Sequence, residues 1–430
     1  MIQIAGGAYL EVCLHPHWQE LFGSGGRAAA ALAGVGEVGL HTYVGDSWRA
    51  VFLARAEAYG FKPFLEKSPS TIQFDYVHPL STPRISPYRA NLPKLSSLKA
   101  SGDVVLRFGM LECDAIVDGD RIVYDPQSAH DPRPFRQNGS SANHLSIVAN
   151  ADEAKLLTGK SDPKDAAAAL RDDERAEVVI VKRGVHGALV LTAEGMNEIK
   201  PFHRDQVFTI GSGDVFAAAF TQFWGREQRS PMEAAELASR ATALYCESRS
   251  LPLQSAEGLR ATTLRAARFK PGRVYLAAPF FDLAQRWLLE EARTHLTAVG
   301  LDVFSPLHDV GTGSAECVAP ADLAGIDHCD RMLALIDGAD VGTVFEVGYA
   351  SARGMPVVAL AETLSVESLK MIAGSGCILT KDFASAIFRT AWLECCHRPD
   401  RVPFSAESPE PGDHPGVKVA VGGFRVEAGG

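Results

Sequence analysis

The stretch TIGSGDVFAAAF, Thr209–Phe220, decides the fold of the first half of the chain. Gly211, Ser212 and Gly213 precede Asp214, and an Ala- and Phe-rich run follows that predicts a helix. Glycines let backbone N–H groups converge, and a helix start carries partial positive charge, so this turn suits an anion. An aspartate beside an anion site is placed to take a proton from an attacking hydroxyl. The same string also fits a plain glycine turn in which Asp214 only caps the helix.

Short apolar runs that end in polar or glycine turns precede this stretch, at 103–109, 145–150 and 178–184. They have the composition of buried strands. Two runs with helical spacing, DEAKLLTG and DPKDAAAALRDD, lie between the last two of them. Strands that alternate with helices predict an α/β fold with a mostly parallel sheet and helices on both faces.

A second α/β pattern begins with RVYLAAPFF at 273–281, after a polar connector that ends in Pro271-Gly272. Its order is β-α-β-(α)-β-α-β, which predicts a second, smaller Rossmann-like domain of the flavodoxin-like kind. The tail is rich in Pro and Gly, so we expect it to be flexible. The predicted organisation is a first domain, a linker, a second domain and a tail, at residues 1–255, 256–272, 273–396 and 397–430.

The composition narrows the class of protein. The chain has 430 residues, of which 46% are apolar and 22% charged, so we expect folded globular domains. The formal net charge of −10 argues against a nucleic acid polymer as partner. The apolar runs are too short for a membrane span, and the start has no signal-peptide pattern. Eight scattered cysteines without a C-x-x-C pair favour a reducing, cytoplasmic location.

Four strings in order make the first half similar to the PfkB (ribokinase-like) family of sugar and nucleoside kinases: GSGGRAAAALAGVGEVGLHTYVGD, NADEAKLLTG, VVIVKRGVHGALV and GSGD. The resemblance implies ATP and Mg²⁺ as cofactors and Asp214 as the catalytic base. The implied oxyanion cradle and ATP-site residues are Gly211, Ser212, Gly213, Lys182, Gly184 and Gly187. Asn150 and Glu153 would lie near the phosphates and the magnesium ion, which they would contact indirectly. On the sugar side the resemblance implies Glu11, Gly25 and Gly26.

The first half departs from that family at three positions. Glu11 stands where the family usually has an Asp that grips sugar hydroxyls, and Ala30 where it has an Asn. Phe208-Thr209 replaces the usual Asp-Thr before the glycine turn. An alanine cannot hydrogen-bond a hydroxyl, and a lost contact of this kind costs about 1–3 kcal/mol. Two hypotheses therefore stay open: an active kinase, or a non-catalytic module that senses a ligand or mediates oligomerisation.

The second half resembles the nucleoside 2-deoxyribosyltransferase family and its N-glycoside hydrolase relatives. The resemblance rests on VYLAAPFF, VFSPLHD, ADLAGIDHCD and DGADVGTVFEVGYA. Cleaving a nucleoside requires a proton for the departing base and an electron-rich group for the sugar's C1′. By resemblance Glu346 would be the nucleophile, oriented by Tyr275. Asp340 and Asp322 would face the base.

Phe280 and Phe281 would border the base or the sugar, and we expect no cofactor in this half. Alternatively, the same acids only cap turns and helices, and the tyrosine only packs in the core.

Together the two halves predict a bifunctional enzyme that acts on a small nucleoside, nucleotide or pentose and either transfers or hydrolyses the glycosidic bond. The resemblance also implies a homo-oligomer. The spacing of His15, His17, His308 and His328 predicts no zinc site.

Overall fold

Two separate parallel sheets organise the chain in a computed structural model, which describes residues 1–128 and 130–393. The strands of the first part are β1 Ile2–Ala5, β2 Leu10–Cys13, β3 Trp18–Leu21, β4 Val38–Gly45, β5 Lys62–Ser68, β6 Gln73–Tyr76, β7 Arg84–Ser86, β8 Leu98–Phe108, β9 Ala115–Asp125, β10 Ser141–Asn150, β11 Val178–Lys182, β12 Ala188–Thr192 and β13 Gly195–Ile199. Its helices are α1 Gly23–Leu32, α2 Asp46–Tyr59, α3 Ala151–Thr158, α4 Pro163–Glu174, α5 Ser212–Phe220, α6 Pro231–Ser248 and α7 Ala256–Ala261.

Nine of these strands form the large sheet, in the order β13-β12-β11-β10-β9-β8-β1-β4-β5. The run from β11 to β5 is parallel, and β12 and β13 add an antiparallel edge. Along β11, Val178 and Ile180 face one apolar cluster, while Val179 and Val181 face another. Both faces are covered, as the run of apolar residues predicts. The predicted α/β class is confirmed.

A small four-stranded sheet, β3-β2-β6-β7, stands apart from the large one. The sequence analysis did not predict it, because its strands are short and carry many polar residues that are only half-buried. Glu11 lies on β2, in the middle of this sheet. The small sheet therefore brings a buried acid toward the carboxyl ends of the large sheet.

The second part has a five-stranded, all-parallel sheet in the order β15-β14-β16-β17-β18, which is the flavodoxin-like order. Its strands are β14 Arg273–Ala277, β15 Asp302–Phe304, β16 Arg331–Leu335, β17 Val357–Leu360 and β18 Ile378–Thr380. Its helices are α8 Leu283–Ala298, α9 Pro306–Asp309, α10 Ala315–Asp327, α11 Val341–Ala352, α12 Lys370–Gly374 and α13 Phe383–Ala391. Ligands of such sheets bind outside the carboxyl ends of the strands, where the strand order reverses.

The helix starts follow local chemistry. Asn150 and Glu153 form a capping box at α3, each side chain accepting the other's backbone N–H. Asp162 caps α4, with Pro163 at its first position, where no N–H is needed. Asp282 caps α8 in the same reciprocal way with Gln285.

All described residues belong to one compact unit. The predicted boundaries at 255/256 and 272/273 stay a prediction, and the end of the predicted second domain (394–396) and the tail at 397–430 lie outside the described residues. Among residues 1–128 and 130–393, no helix is long and apolar enough to cross a membrane.

Candidate active sites

Three polar residues end neighbouring parallel strands of the large sheet. Asp125 ends β9, Asn150 ends β10 and Lys182 ends β11, with Asn150 and Lys182 directly in register. The carboxyl ends of parallel strands are where ligands of α/β sheets bind. Lys182 Nζ donates to Asp125 Oδ2 at 2.5 Å. Burial raises the pKa of Asp125 to about 7, although the charge of Lys182 opposes the rise.

Asp125 is a residue that sequence reasoning missed. The sequence shows only an acid in the string VYDPQ, directly after an apolar run. The structure shows that this acid is fully buried, which is rare for an aspartate. Asn150 and Glu153, predicted near the phosphates and the magnesium ion, line the same cavity as Lys182. Glu153 is buried with its pKa raised by burial. Their nearest partners are each other's backbone groups.

The glycine turn before α5 faces this cluster. Gly211 has φ +78°, a left-handed conformation that glycine adopts without strain, and α5 begins at Ser212. A Cβ at Gly213 would lie 3.2 Å from Lys182 Nζ, so this lysine and the turn are close neighbours. The predicted cradle and the predicted cationic residue thus line one cavity with Asp214.

Asp214 is buried and both of its carboxylate oxygens are engaged. Arg27 Nη1 donates to Oδ2 at 2.7 Å, and the Gln127 side-chain amide donates to Oδ1. Arg27 is fully buried and also donates through Nη2 to Glu11 Oε2 at 2.5 Å and through Nε to the Tyr245 hydroxyl at 3.0 Å. One arginine therefore joins the predicted base to the predicted sugar-side acid.

Arg27 is a second residue that the sequence analysis did not single out. It follows Gly25 and Gly26, whose sugar-side role stays a prediction. Gly25 packs so closely on the Gly6 backbone that a Cβ would lie 2.7 Å from it, and Gly26 faces the ring of Phe52. Gly23 and Ser24, directly before them, line the cavity together with Glu11. A buried arginine needs acidic partners, but the burial of Arg27 becomes visible only in the structure.

We expect Arg27→Met to lower the free energy of unfolding by about 3–5 kcal/mol, because it leaves the buried acids Glu11 and Asp214 without their cation. Chemical denaturation measures the change. The matched control is Arg55→Met, which removes an arginine that pairs with Glu20 nearer the surface and should cost about 1 kcal/mol or less. Equal losses for the two variants would contradict the ion-pair account.

The cavity that contains these groups has a volume of about 670 Å³. Side chains of the small sheet line it, among them Glu11, Phe74 and Tyr76. The glycine turn, Lys182, Gly184 and Gly187 line the same cavity. A cavity of this size accommodates a metabolite-sized ligand.

The second cluster lies at the carboxyl edge of the five-stranded sheet. Tyr275, on β14, donates its hydroxyl to Glu346 Oε1 at 2.7 Å. Tyr275 is fully buried and its ring stacks on Phe304, with the centroids 5.4 Å apart. Burial raises the pKa of Glu346 to about 7, the Tyr275 hydrogen bond opposes the rise, and the charges of Asp322 and Asp340 add to it. Three of the predicted residues, Tyr275, Asp322 and Asp340, therefore influence the pKa of the fourth, Glu346.

The two remaining acids have different surroundings. Asp340 caps α11, because its Oδ2 accepts from the Thr343 backbone N–H at 2.8 Å and from the Thr343 hydroxyl at 2.9 Å. Asp322 lies on α10, and within the described part of the chain its buried Oδ1 has no hydrogen-bond partner. Burial raises the pKa of Asp322. Two carboxyl groups with raised pKa, those of Glu346 and Asp322, therefore lie in one cluster with Asp340.

Phe280 and Phe281 follow β14. Their rings stack with centroids 5.4 Å apart, and Phe281 is 73% exposed. The backbone carbonyl of Phe280 accepts from Arg286 at 2.8 Å. The loop thus presents an exposed aromatic ring beside the carboxyl edge of β14.

A third polar cluster lies between the two parts. Glu291 Oε1, on α8, is 3.0 Å from His78 Nε2 and 3.3 Å from His295 Nε2, a set whose spacing would suit a metal ion. The Leu80 backbone N–H donates to His78 Nδ1, so the His78 proton resides on Nε2 and points to Glu291. A metal-bound histidine instead donates from its second nitrogen. We therefore assign these side chains to a hydrogen-bonded contact between the parts.

The fold and the two clusters define a protein with two α/β modules of enzyme type. The family model described as pfkB family carbohydrate kinase matches residues 116–254, and the one described as nucleoside 2-deoxyribosyltransferase matches residues 274–379. Each half of the chain thus matches the family that the sequence analysis named for it, and both predicted resemblances are confirmed. The first match begins after the GSGG string near the start of the chain, which the prediction also used.

Among curated proteins, the chain is 26% identical over 213 residues to ATP-dependent 6-phosphofructokinase isozyme 2 of two strains of Mycobacterium tuberculosis. The aligned region is 46% of this chain, and the chain spans 62% of the length of those relatives. Similar solved structures include a ribokinase from Thermotoga maritima (19% identity, TM-score 0.44, 61% of this chain and 98% of that one). Another is phosphofructokinase-2 from Escherichia coli (14% identity, TM-score 0.44, 60% and 96%).

Proposed function

We propose that the C-terminal part cleaves or transfers the N-glycosidic bond of a nucleoside or nucleotide, with Glu346 as the nucleophile. The observation that carries the proposal is the half-buried Glu346 carboxyl, which accepts the hydrogen bond of the Tyr275 hydroxyl and has two further acids close enough to raise its pKa. The family match over 274–379 supports the same chemistry. Whether the acceptor is a second base or water is decided by adding a free base and looking for exchanged nucleoside.

The reaction proceeds in two balanced steps. A Glu346 carboxylate oxygen forms a bond to C1′ while the bond from C1′ to the base nitrogen breaks, and its electron pair leaves with the base. The base takes a proton from the acid side of the site, where Asp322 has a raised pKa and Asp340 is nearby. A second base or water then attacks C1′ and gives its proton to the acid that protonated the first base. The bond from C1′ to Glu346 breaks, and its electron pair returns to the carboxylate.

The nucleophile acts as a carboxylate, so kcat/KM for glycosidic cleavage should rise with pH through about 7, the pKa of Glu346. In Tyr275→Phe the hydrogen bond that favours the ionised form is lost, so the pKa rises and this limb moves to higher pH. Initial rates across pH measure it. Tyr349→Phe is the control, because Tyr349 lies on the same helix but donates to Asp327. An unmoved limb in Tyr275→Phe contradicts the assignment.

The N-terminal part is proposed to phosphorylate a sugar or nucleoside with ATP. Support comes from the kinase-family match, from the glycine turn at the start of α5 and from Lys182, a set that fits phosphate groups. Asp214 would accept the proton of the attacking hydroxyl. Asn150 and Glu153 would hold Mg²⁺ through water, and the ion would neutralise phosphate charge. The two activities together suggest that a released pentose or nucleoside is phosphorylated by the same protein.

A second candidate function for this part is a ligand-binding module without phosphoryl transfer. The contacts of Asp214 favour it, since Arg27 and Gln127 occupy both of its carboxylate oxygens and a substrate hydroxyl has to displace one of them. Ala30 in place of the asparagine removes a further sugar contact. ATP turnover in the presence of a panel of pentoses and nucleosides separates the two candidates.

The proposed assembly is a homo-oligomer. Exposed apolar side chains on α11 support it, since Val341 is 83% and Phe345 63% exposed on the helix that carries Glu346. Light scattering at defined concentrations tests it. The scattered cysteines favour a reducing compartment, so the cytoplasm is the proposed location.

A further inference from the structure

The C-terminal part contributes to the wall of the cavity of the N-terminal part. Phe388, on α13, and Trp392, directly after that helix, line it together with Phe202, Val207 and Cys246. Burial raises the pKa of Cys246 to about 12, so its thiol stays uncharged. These five residues are apolar or aromatic, while Arg204, which also lines the cavity, pairs with Glu247.

The aromatic wall is fixed to the N-terminal part by specific bonds. Trp392 Nε1 donates to the Val185 carbonyl oxygen at 2.8 Å, within the turn between Gly184 and Gly187. The Ser385 hydroxyl, on α13, accepts the Val207 backbone N–H at 2.7 Å. Two residues of the cavity's own loops thus hold the helix of the other part in place. Phe388 is only half-buried, which leaves part of its ring open to a ligand.

The lining of the cavity offers different surfaces to the phosphates and to the base of a nucleotide. Phosphate groups are attracted to the turn at Gly211 and Gly213 and to Lys182. A nucleoside attached to those phosphates finds apolar and aromatic side chains in the same cavity, among them the half-buried Phe388. A base gains by stacking on an aromatic ring whatever its hydrogen-bonding pattern.

We propose that Phe388 and Trp392 form a wall of the nucleobase subsite, so that a nucleoside triphosphate bound in the N-terminal part is held by both parts of the chain. The inference rests on the proposed function of this cavity as a nucleotide site. It adds that the transferase-family part supplies base contacts. Because the ligand then bridges the parts, its binding stabilises their docked arrangement.

The test compares ATP with inorganic tripolyphosphate, which carries the phosphates without the base. By isothermal titration on the full chain, Phe388→Ala should weaken ATP binding at least tenfold and leave tripolyphosphate binding unchanged. Phe388→Trp, which keeps an aromatic face, should restore ATP affinity to within about threefold of the wild type. Phe345→Ala, an exposed phenylalanine on α11, is the matched control and should change neither affinity.

Three other results would overturn the proposal, and each identifies which part of it is wrong. Unchanged ATP affinity in Phe388→Ala overturns the base wall while the nucleotide site stands. Equal weakening for ATP and tripolyphosphate shows that Phe388 acts only through the structure, and also overturns it. A wild-type chain that binds neither ligand overturns the nucleotide site itself. Lys182→Ala, which should weaken both ligands, reports on the phosphate end independently.

Discussion

Glu346→Gln should reduce cleavage of the N-glycosidic bond by at least about a thousandfold, because an amide cannot form the ester to C1′ that splits the reaction into two easier steps. The substitution keeps the shape of the side chain and its place opposite Tyr275. Release of free base from a panel of nucleosides and nucleotides, followed by chromatography, measures the loss. Binding of the substrate should persist.

The control for this variant is Glu367→Gln, on the surface of the same part, where the acid only pairs with Lys370. It should retain wild-type cleavage and wild-type unfolding behaviour. If Glu346→Gln kept more than a tenth of the activity while remaining folded, another residue would have to be the nucleophile.

Asp214→Asn should lower ATP-dependent phosphorylation of the accepted sugar or nucleoside by about 10²–10⁴-fold, the range typical for loss of a general base. Asparagine keeps the size of the side chain, and Arg27 keeps the Glu11 carboxylate and the Tyr245 hydroxyl as partners. Coupled detection of ADP measures the rate. Asp103→Asn, at an exposed position of β8, is the matched control and should be neutral.

The outcome also separates the two candidates for the N-terminal part. Loss of turnover in Asp214→Asn with an active wild type supports the kinase. A wild type that binds ATP but never turns it over above background, with Asp214→Asn unchanged, supports the ligand-binding module instead. In that case the ion pair with Arg27 is the permanent state of Asp214 rather than a resting state.

Both folds could be predicted because long, uninterrupted patterns of apolar residues indicate their strands and helices. The apolar runs of β10 and β11 and the helical spacing of α4 and α8 are local signals that burial in a sheet reinforces. The fifth strand β18 and helix α13 of the second part were not predicted. A three-residue strand is too short to show a period. Helix α13 packs on β16 and β17, and its Ser385 bonds Val207 of the first part, a contact that the sequence does not show.

The site residues divide in the same way. Glu346, Tyr275 and Asp322 lie within 71 residues of one another, in sequence strings that carry the family resemblance. In the structure, Tyr275 bonds the Glu346 carboxyl group and the charge of Asp322 raises its pKa. Arg27 and Asp125 were missed because their importance lies in burial and in partners far along the chain, 187 residues away for Arg27 and Asp214. A single sequence holds no record of such distant pairs. The wall formed by Phe388 could be found only once both parts were seen together.

The central claim is that Glu346 forms a covalent bond to the sugar. Its most direct test is to mix the protein with a 2′-deoxynucleoside, quench in acid within the first turnover and map the peptides by mass spectrometry. The account predicts one added deoxyribosyl group on the peptide that contains Glu346, absent from Glu346→Gln. Free base released with the sugar attached to a different peptide, or with no adduct at any time of quenching, would contradict it.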